Sequence, residues 1–145
     1  MTRTKKREGT AVWIPHGMIG FPGLTRYRLI GRGEENPFHL LQSEERDQIR
    51  FSLLEPMVIL PDYEVRLAPD LLEELEIEDR AHARVFVVAT VPDDPREITV
   101  DFRAPLLVNI ESGVGAQVIL EDERLSVRAS LLEEWRRQEA ETVMT

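Results

Sequence analysis

The sequence predicts a mainly β protein: a small antiparallel β-barrel-like single domain carrying two short helices. Three features lead there. Residues 84–120 read as four short strands in succession, apolar runs of strand length recur along the rest of the chain, and Gly and Pro punctuate nearly every gap. Only two stretches carry helix signals. Strands joined by short links pair antiparallel, and closure into a barrel is preferred over a sandwich because a chain this small would otherwise leave long unpaired edges.

Residues 1–10 are polar and basic, with Arg3, Lys5, Lys6 and Arg7, and are expected to form a mobile arm. The folded body is expected over 11–129, and a C-terminal helix with a frayed tail over 130–145. Val12–Ile14 is a short strand stopped by Pro15 and Gly17. Gly20-Phe21-Pro22-Gly23-Leu24 is turn-rich, with Phe21 and Leu24 free to plug the core. Tyr27–Ile30 alternates and reads as a strand. Pro37–Gln42 and Arg50–Leu54 have the pattern of a hairpin around the charged loop Ser43–Asp47. Met57–Leu60 is a short apolar run. Tyr63–Leu67 alternates, with Tyr63, Val65 and Leu67 inward.

Pro69 suits a helix's first turn, Asp70, Glu73 and Glu74 suit its positive end, and Leu71, Leu72 and Leu75 supply its apolar face. This helix should end near Glu76. Of the four central strands, Val85–Thr90 is β-branched and aromatic, and Glu97–Phe102 places Ile98, Val100 and Phe102 on one face. Leu106–Ile110 and Gln117–Leu120 are apolar runs. Pro95 and Pro105 lack an amide proton, so each is expected at a turn or strand end. Ser130 and Glu133 have capping-box spacing, and Leu131, Leu132 and Trp135 form the apolar stripe of a second helix that fades beyond Gln138.

Composition bounds the function. A chain of 145 residues, 42% hydrophobic and 31% charged, can bury a core without metal or disulfide staples. The absence of cysteine excludes disulfides, thiolate zinc sites and catalytic thiols. Nothing approaches the ~18 uninterrupted apolar residues of a membrane span, and no apolar region follows the basic N-terminus as a secretory signal requires. A cytoplasmic protein is the expectation, monomeric when free. The net charge of −9 and pI near 4.9 argue against direct nucleic-acid binding and suit a basic protein partner. Solubility alone is the plainer meaning of such a charge. The charge is nevertheless uneven: between Asp62 and Asp79 eight acids accompany one base, Arg66.

Signs of catalysis are missing. His16, His39 and His82 match no metal-ligand spacing, Gly113 and Gly115 lie in no phosphate-binding fingerprint, and there is no G-x-S-x-G elbow. The pairs Glu44/Glu45, Asp93/Asp94 and Glu121/Asp122 sit in turns, where neighbouring side chains diverge. No enzyme, cofactor or metal is expected.

In order along the chain, GFPGL (Gly20–Leu24), PFHLLQS (Pro37–Ser43), PDYE (Pro61–Glu64), LLEEL (Leu71–Leu75), ATVPDDPREITVDF (Ala89–Phe102), APLLVN (Ala104–Asn109) and GAQVIL (Gly115–Leu120) resemble the flagellar assembly factor FliW family. The likeness spans about residues 12–121. Asp101 stands where the family usually has Asn, Leu125 falls where a Tyr often precedes Ser-x-Arg, and the helix from Ser130 matches poorly. The resemblance implies a non-enzymatic protein with two partners, flagellin and the small basic RNA-binding regulator CsrA. In the family, binding holds CsrA off messenger RNA, and flagellin competes for the same antagonist, so flagellin level feeds back on its own synthesis.

Under that reading the acids Glu64, Glu73, Glu74, Glu76 and Glu78 would attract the basic partner, and Gln42/Ser43 with Pro61/Asp62/Tyr63 would shape the contact. The alternative for these residues is a solvated helix face and an inward Tyr63. Asn109 and Asp101 form a second group, at strand ends. An exposed edge or groove would hold an extended or amphipathic segment of flagellin. Two other classes stay open: a small-ligand-binding β-barrel or hydrolase, and a structural subunit held by strand-edge pairing.

Overall fold

The computed structural model describes residues 9–144; most of the expected basic arm lies outside the described residues. Among the described residues eight strands form one antiparallel sheet: β1 (Thr10–Trp13), β2 (Arg26–Gly31), β3 (Phe38–Ser43), β4 (Arg50–Leu54), β5 (Ala83–Thr90), β6 (Thr99–Asn109), β7 (Gly115–Gln117) and β8 (Ala129–Ser130). Strands β1 to β7 are neighbours in chain order, and β8 pairs with β6. The sheet curls into a nearly closed barrel. At its seam the Trp13 amide donates to the Gly113 carbonyl at 2.8 Å, beside a parallel bridge from Trp13 to Val114. Gly113 has φ 84°, and a Cβ there would lie 2.8 Å from the Ala11 carbonyl oxygen, so the seam needs glycine.

Alternation in the strands sorts the side chains into three buried groups. Val12, Ile14, Tyr27, Leu41, Leu53, Phe86 and Leu106 fill the barrel interior together with Met18 from the turn after β1. An interior of this strand number is just wide enough for such side chains. On the outer face of β4–β6, Leu54, Val87, Val100 and Phe102 pack under Tyr63, Ile59 and Leu131. On the outer face of β6–β7, Leu107 and Ala116 pack under Leu71, Leu72, Leu75 and Ile77. The last four come from helix α1 (Pro69–Glu74) and its exit.

The α1 terminus is a Schellman motif. Glu76 takes φ 57°, its amide donates to Glu73, and the Ile77 amide donates to the Leu72 carbonyl at 2.8 Å. Helix α2 (Leu131–Met144) starts as expected, with the Glu133 amide donating to Ser130 Oγ at 3.2 Å. It continues well past Gln138, where the apolar pattern fades. Ala, Glu, Gln and Arg favour helix without an apolar face, and no Gly or Pro interrupts them.

Three local expectations are corrected. Pro105 lies inside β6, which runs unbroken where two strands were expected. The β5–β6 register slips at this point, from Phe86 opposite Leu106 to Val88 opposite Asp101. Pro105 therefore sits in a bulge where its missing N–H breaks no ladder bond. Asp101 Oδ1 accepts the Arg103 amide inside the same irregularity at 2.9 Å. The apolar run Met57–Leu60 begins in a 3-10 turn at Pro56–Val58 that carries the chain round. Tyr63–Leu67 alternates as expected, with Tyr63 buried and Glu64 and Arg66 exposed, but belongs to no ladder. The strand expected at Gln117–Leu120 is instead β7, at Gly115–Gln117. Its extended continuation still bonds to β6, the Val118 and Leu120 amides donating to the Pro105 and Arg103 carbonyls at 2.9 and 2.8 Å.

Candidate interaction surfaces

The residues singled out in the sequence fall into four places. Gln42 and Ser43 end β3 and hold the following loop. Ser43 is buried, and its Oγ accepts the Glu45 and Arg46 amides at 3.1 and 3.0 Å. Gln42 Nε2 donates to the carbonyls of Ser43, Asp47 and Ile49. The loop then places Glu45 Oε1 on the amides of Arg26 and Thr25, which hold its carboxyl below its ordinary value.

Glu73, Glu74, Glu76 and Glu78 are all exposed, on α1 and the segment that leaves it. One short helix and its αL cap therefore set out four carboxylates on a rigid mount. Glu74 also accepts from His16 Nε2 at 2.9 Å, an exposed contact to the turn after β1. Asn109, only 3% exposed, fixes this mount from beneath. Its Nδ2 donates to the carbonyls of Leu75 and Glu76 at 3.0 Å each, and its Oδ1 accepts the amides of Glu111 and Ser112. All four of its hydrogen-bonding positions have partners in the chain itself. Asp101, on the same strand, serves its own bulge. Both act through the backbone they hold.

Pro61, Asp62, Tyr63 and Glu64 line a groove of about 1580 Å³. Ile119–Asp122 line the same groove, as do Arg137, Gln138 and Glu141 of α2. Tyr63 points inward, as the plainer expectation had it: its hydroxyl donates to the Phe102 carbonyl at 2.6 Å. Burial pushes the phenol well above its ordinary pKa, and the nearby Asp101 carboxylate adds to the shift. Arg103 secures the loop that follows Ile119–Asp122, its guanidinium donating to the Leu125 and Glu123 carbonyls. Pro61, Asp62 and Glu64 stay exposed on the rim.

Sequence reasoning did not mark Ile119, the most exposed large apolar side chain at 69%. Its signal was its place in the run Gln117–Leu120, where alternate positions must face away from the sheet. The three histidines stand apart, each beside a different glutamate: His16 by Glu74, His39 by Glu55 and His82 by Glu111. Among the described residues no group of three or more His, Asp or Glu side chains could hold a metal ion, and no helix is long and apolar enough to cross a membrane. These surfaces offer carboxylates, backbone edges and apolar side chains, Ile119 the most exposed of them.

Comparison with known proteins agrees on one family. The family model of the FliW protein matches residues 2–131. The flagellar assembly factor FliW of Ruminiclostridium cellulolyticum is 33% identical over 124 residues, covering 85% of this chain and 84% of that protein. Its counterpart in Desulfitobacterium hafniense is 34% identical over 121 residues, covering 83% and 80%. A crystal structure of the flagellar assembly factor FliW superposes with a TM-score of 0.76 at 29% identity, covering 90% of this chain and 89% of that one.

Proposed function

The chain belongs to the FliW family of flagellar assembly factors, and on that premise we propose that it is a non-enzymatic cytoplasmic binding protein, monomeric when free, with two partners. It binds flagellin as a chaperone-like partner, and it binds and antagonises the basic translational regulator CsrA. Free flagellin displaces CsrA, so flagellin level sets its own translation. No cofactor takes part.

The observation that carries this reading is the rigid display of Glu73, Glu74, Glu76 and Glu78 on and beyond α1, held by Asn109 and the Schellman motif. A fixed row of carboxylates steers a basic partner and discriminates against acidic ones. Glu74 is partly engaged by His16, but an exposed pair of this kind leaves most of the field intact. Pro61, Asp62 and Glu64 form the adjoining rim, and Gln42 and Ser43 keep the β3–β4 loop in shape. A small-ligand barrel is less well supported, because side chains fill the barrel interior and the large groove lies outside it.

Charge reversal tests the acidic face. Glu73→Lys with Glu74→Lys is expected to weaken CsrA binding roughly tenfold or more at low salt, with the difference narrowing as salt rises. An unchanged affinity and an unchanged salt dependence would remove these acids from the interface.

A further inference from the structure

The backbone N–H and C=O groups of Glu64, Val65, Arg66 and Leu67 have no hydrogen-bond partner among the described residues, although the segment is extended and its side chains alternate. On the second lining segment the situation repeats. Val118 and Leu120 turn their amides to β6. In an extended chain the backbone groups of alternate residues point to opposite sides. Those of Ile119 and Glu121 therefore point away from β6, where among the described residues they too have no partner. Both segments line the same groove.

We infer that this groove is an empty strand slot, and that an extended segment of flagellin fills it by β-augmentation. The inference rests on the proposed function for the identity of the occupant. What suits the slot is a run of several residues without proline, offering its main chain to either wall and an apolar side chain to Ile119. Charge separates this surface from the acidic face. Asp62, Glu64, Glu121, Asp122 and Glu141 on the lining are nearly balanced by Arg66, Arg80, Arg124 and Arg137, so the slot selects through backbone and apolar contacts and gives a strongly basic regulator little advantage. The segment Glu64–Leu67 runs directly into α1 at Pro69. The two surfaces adjoin, and a bulky partner in the slot obstructs one on the helix.

Residue-resolved amide exchange on the full chain, with and without purified flagellin of the same organism, tests the slot, with a fluorescence binding titration alongside. Slowed exchange at Glu64–Leu67, Ile119 and Glu121 is expected. Ile119→Pro removes one groove-facing donor while keeping the Val118 and Leu120 bonds, and it should weaken flagellin binding roughly tenfold while leaving CsrA binding intact. Ile119→Ala, which keeps the donor, should lose less. Flagellin bound with the protection elsewhere would overturn the slot and leave the proposed function standing. Wild-type chain that does not bind flagellin at all would overturn both.

Discussion

The side-chain amide of Asn109, at the end of β6, donates to the main-chain carbonyl of Glu76 at 3.0 Å, in the left-handed residue that ends α1. A single buried side chain thus sets where the acidic helix stands on the barrel. Asn109→Ala leaves the carbonyls of Leu75 and Glu76 and the amides of Glu111 and Ser112 without it, and should lower stability by about 2–3 kcal/mol in denaturant unfolding. Asn109→Asp restores only the acceptor and should recover little, since a carboxylate cannot donate to two carbonyls.

The two tyrosines make opposite predictions. The Tyr63 hydroxyl donates to Phe102, whereas the Tyr27 hydroxyl is buried with no partner among the described residues. Tyr63→Phe should cost about 1–2 kcal/mol, and Tyr27→Phe should be neutral or stabilising. Thermal melts of the two variants against wild type separate these outcomes.

Acid sensitivity is expected from His39. It lies largely buried, edge-on to Phe86, with Glu55 and Arg84 beside it. Burial lowers its pKa below 6.5 and Arg84 adds to this, while Glu55 opposes both. The unfolded chain therefore binds the proton more readily than the folded one. The resulting stability is present above about pH 6.5 and is lost as pH falls below it. This adds an acid destabilisation that sets in as pH falls below about 6.5, and His39→Gln should remove it. An equal pH dependence in variant and wild type would show that His39 titrates normally.

Period-two alternation made β2, β3 and β4 legible, because each has one face turned into the barrel. The same alternation at Tyr63–Leu67 reads identically, yet forms no ladder. The pattern reports that one face is covered, here against the outside of β5 and β6, and says nothing about what the backbone bonds to. Pro105 misleads for a related reason: whether a missing amide proton matters depends on the register of β5, far away in sequence. The acids of α1 were visible as a charge run. Their mounting was not, since the Asn109 contacts span more than thirty residues. The groove was half legible, through Pro61–Glu64, and its other wall appears only when Val118 and Leu120 are seen bonded to β6.

We propose that this chain links flagellin level to CsrA through mutually exclusive binding. The most direct measurement is a displacement titration, with the chain loaded with fluorescently labelled CsrA and unlabelled flagellin added. Release of CsrA that tracks flagellin occupancy to completion is the predicted result. Stable ternary complexes, with CsrA retained at saturating flagellin, would contradict it.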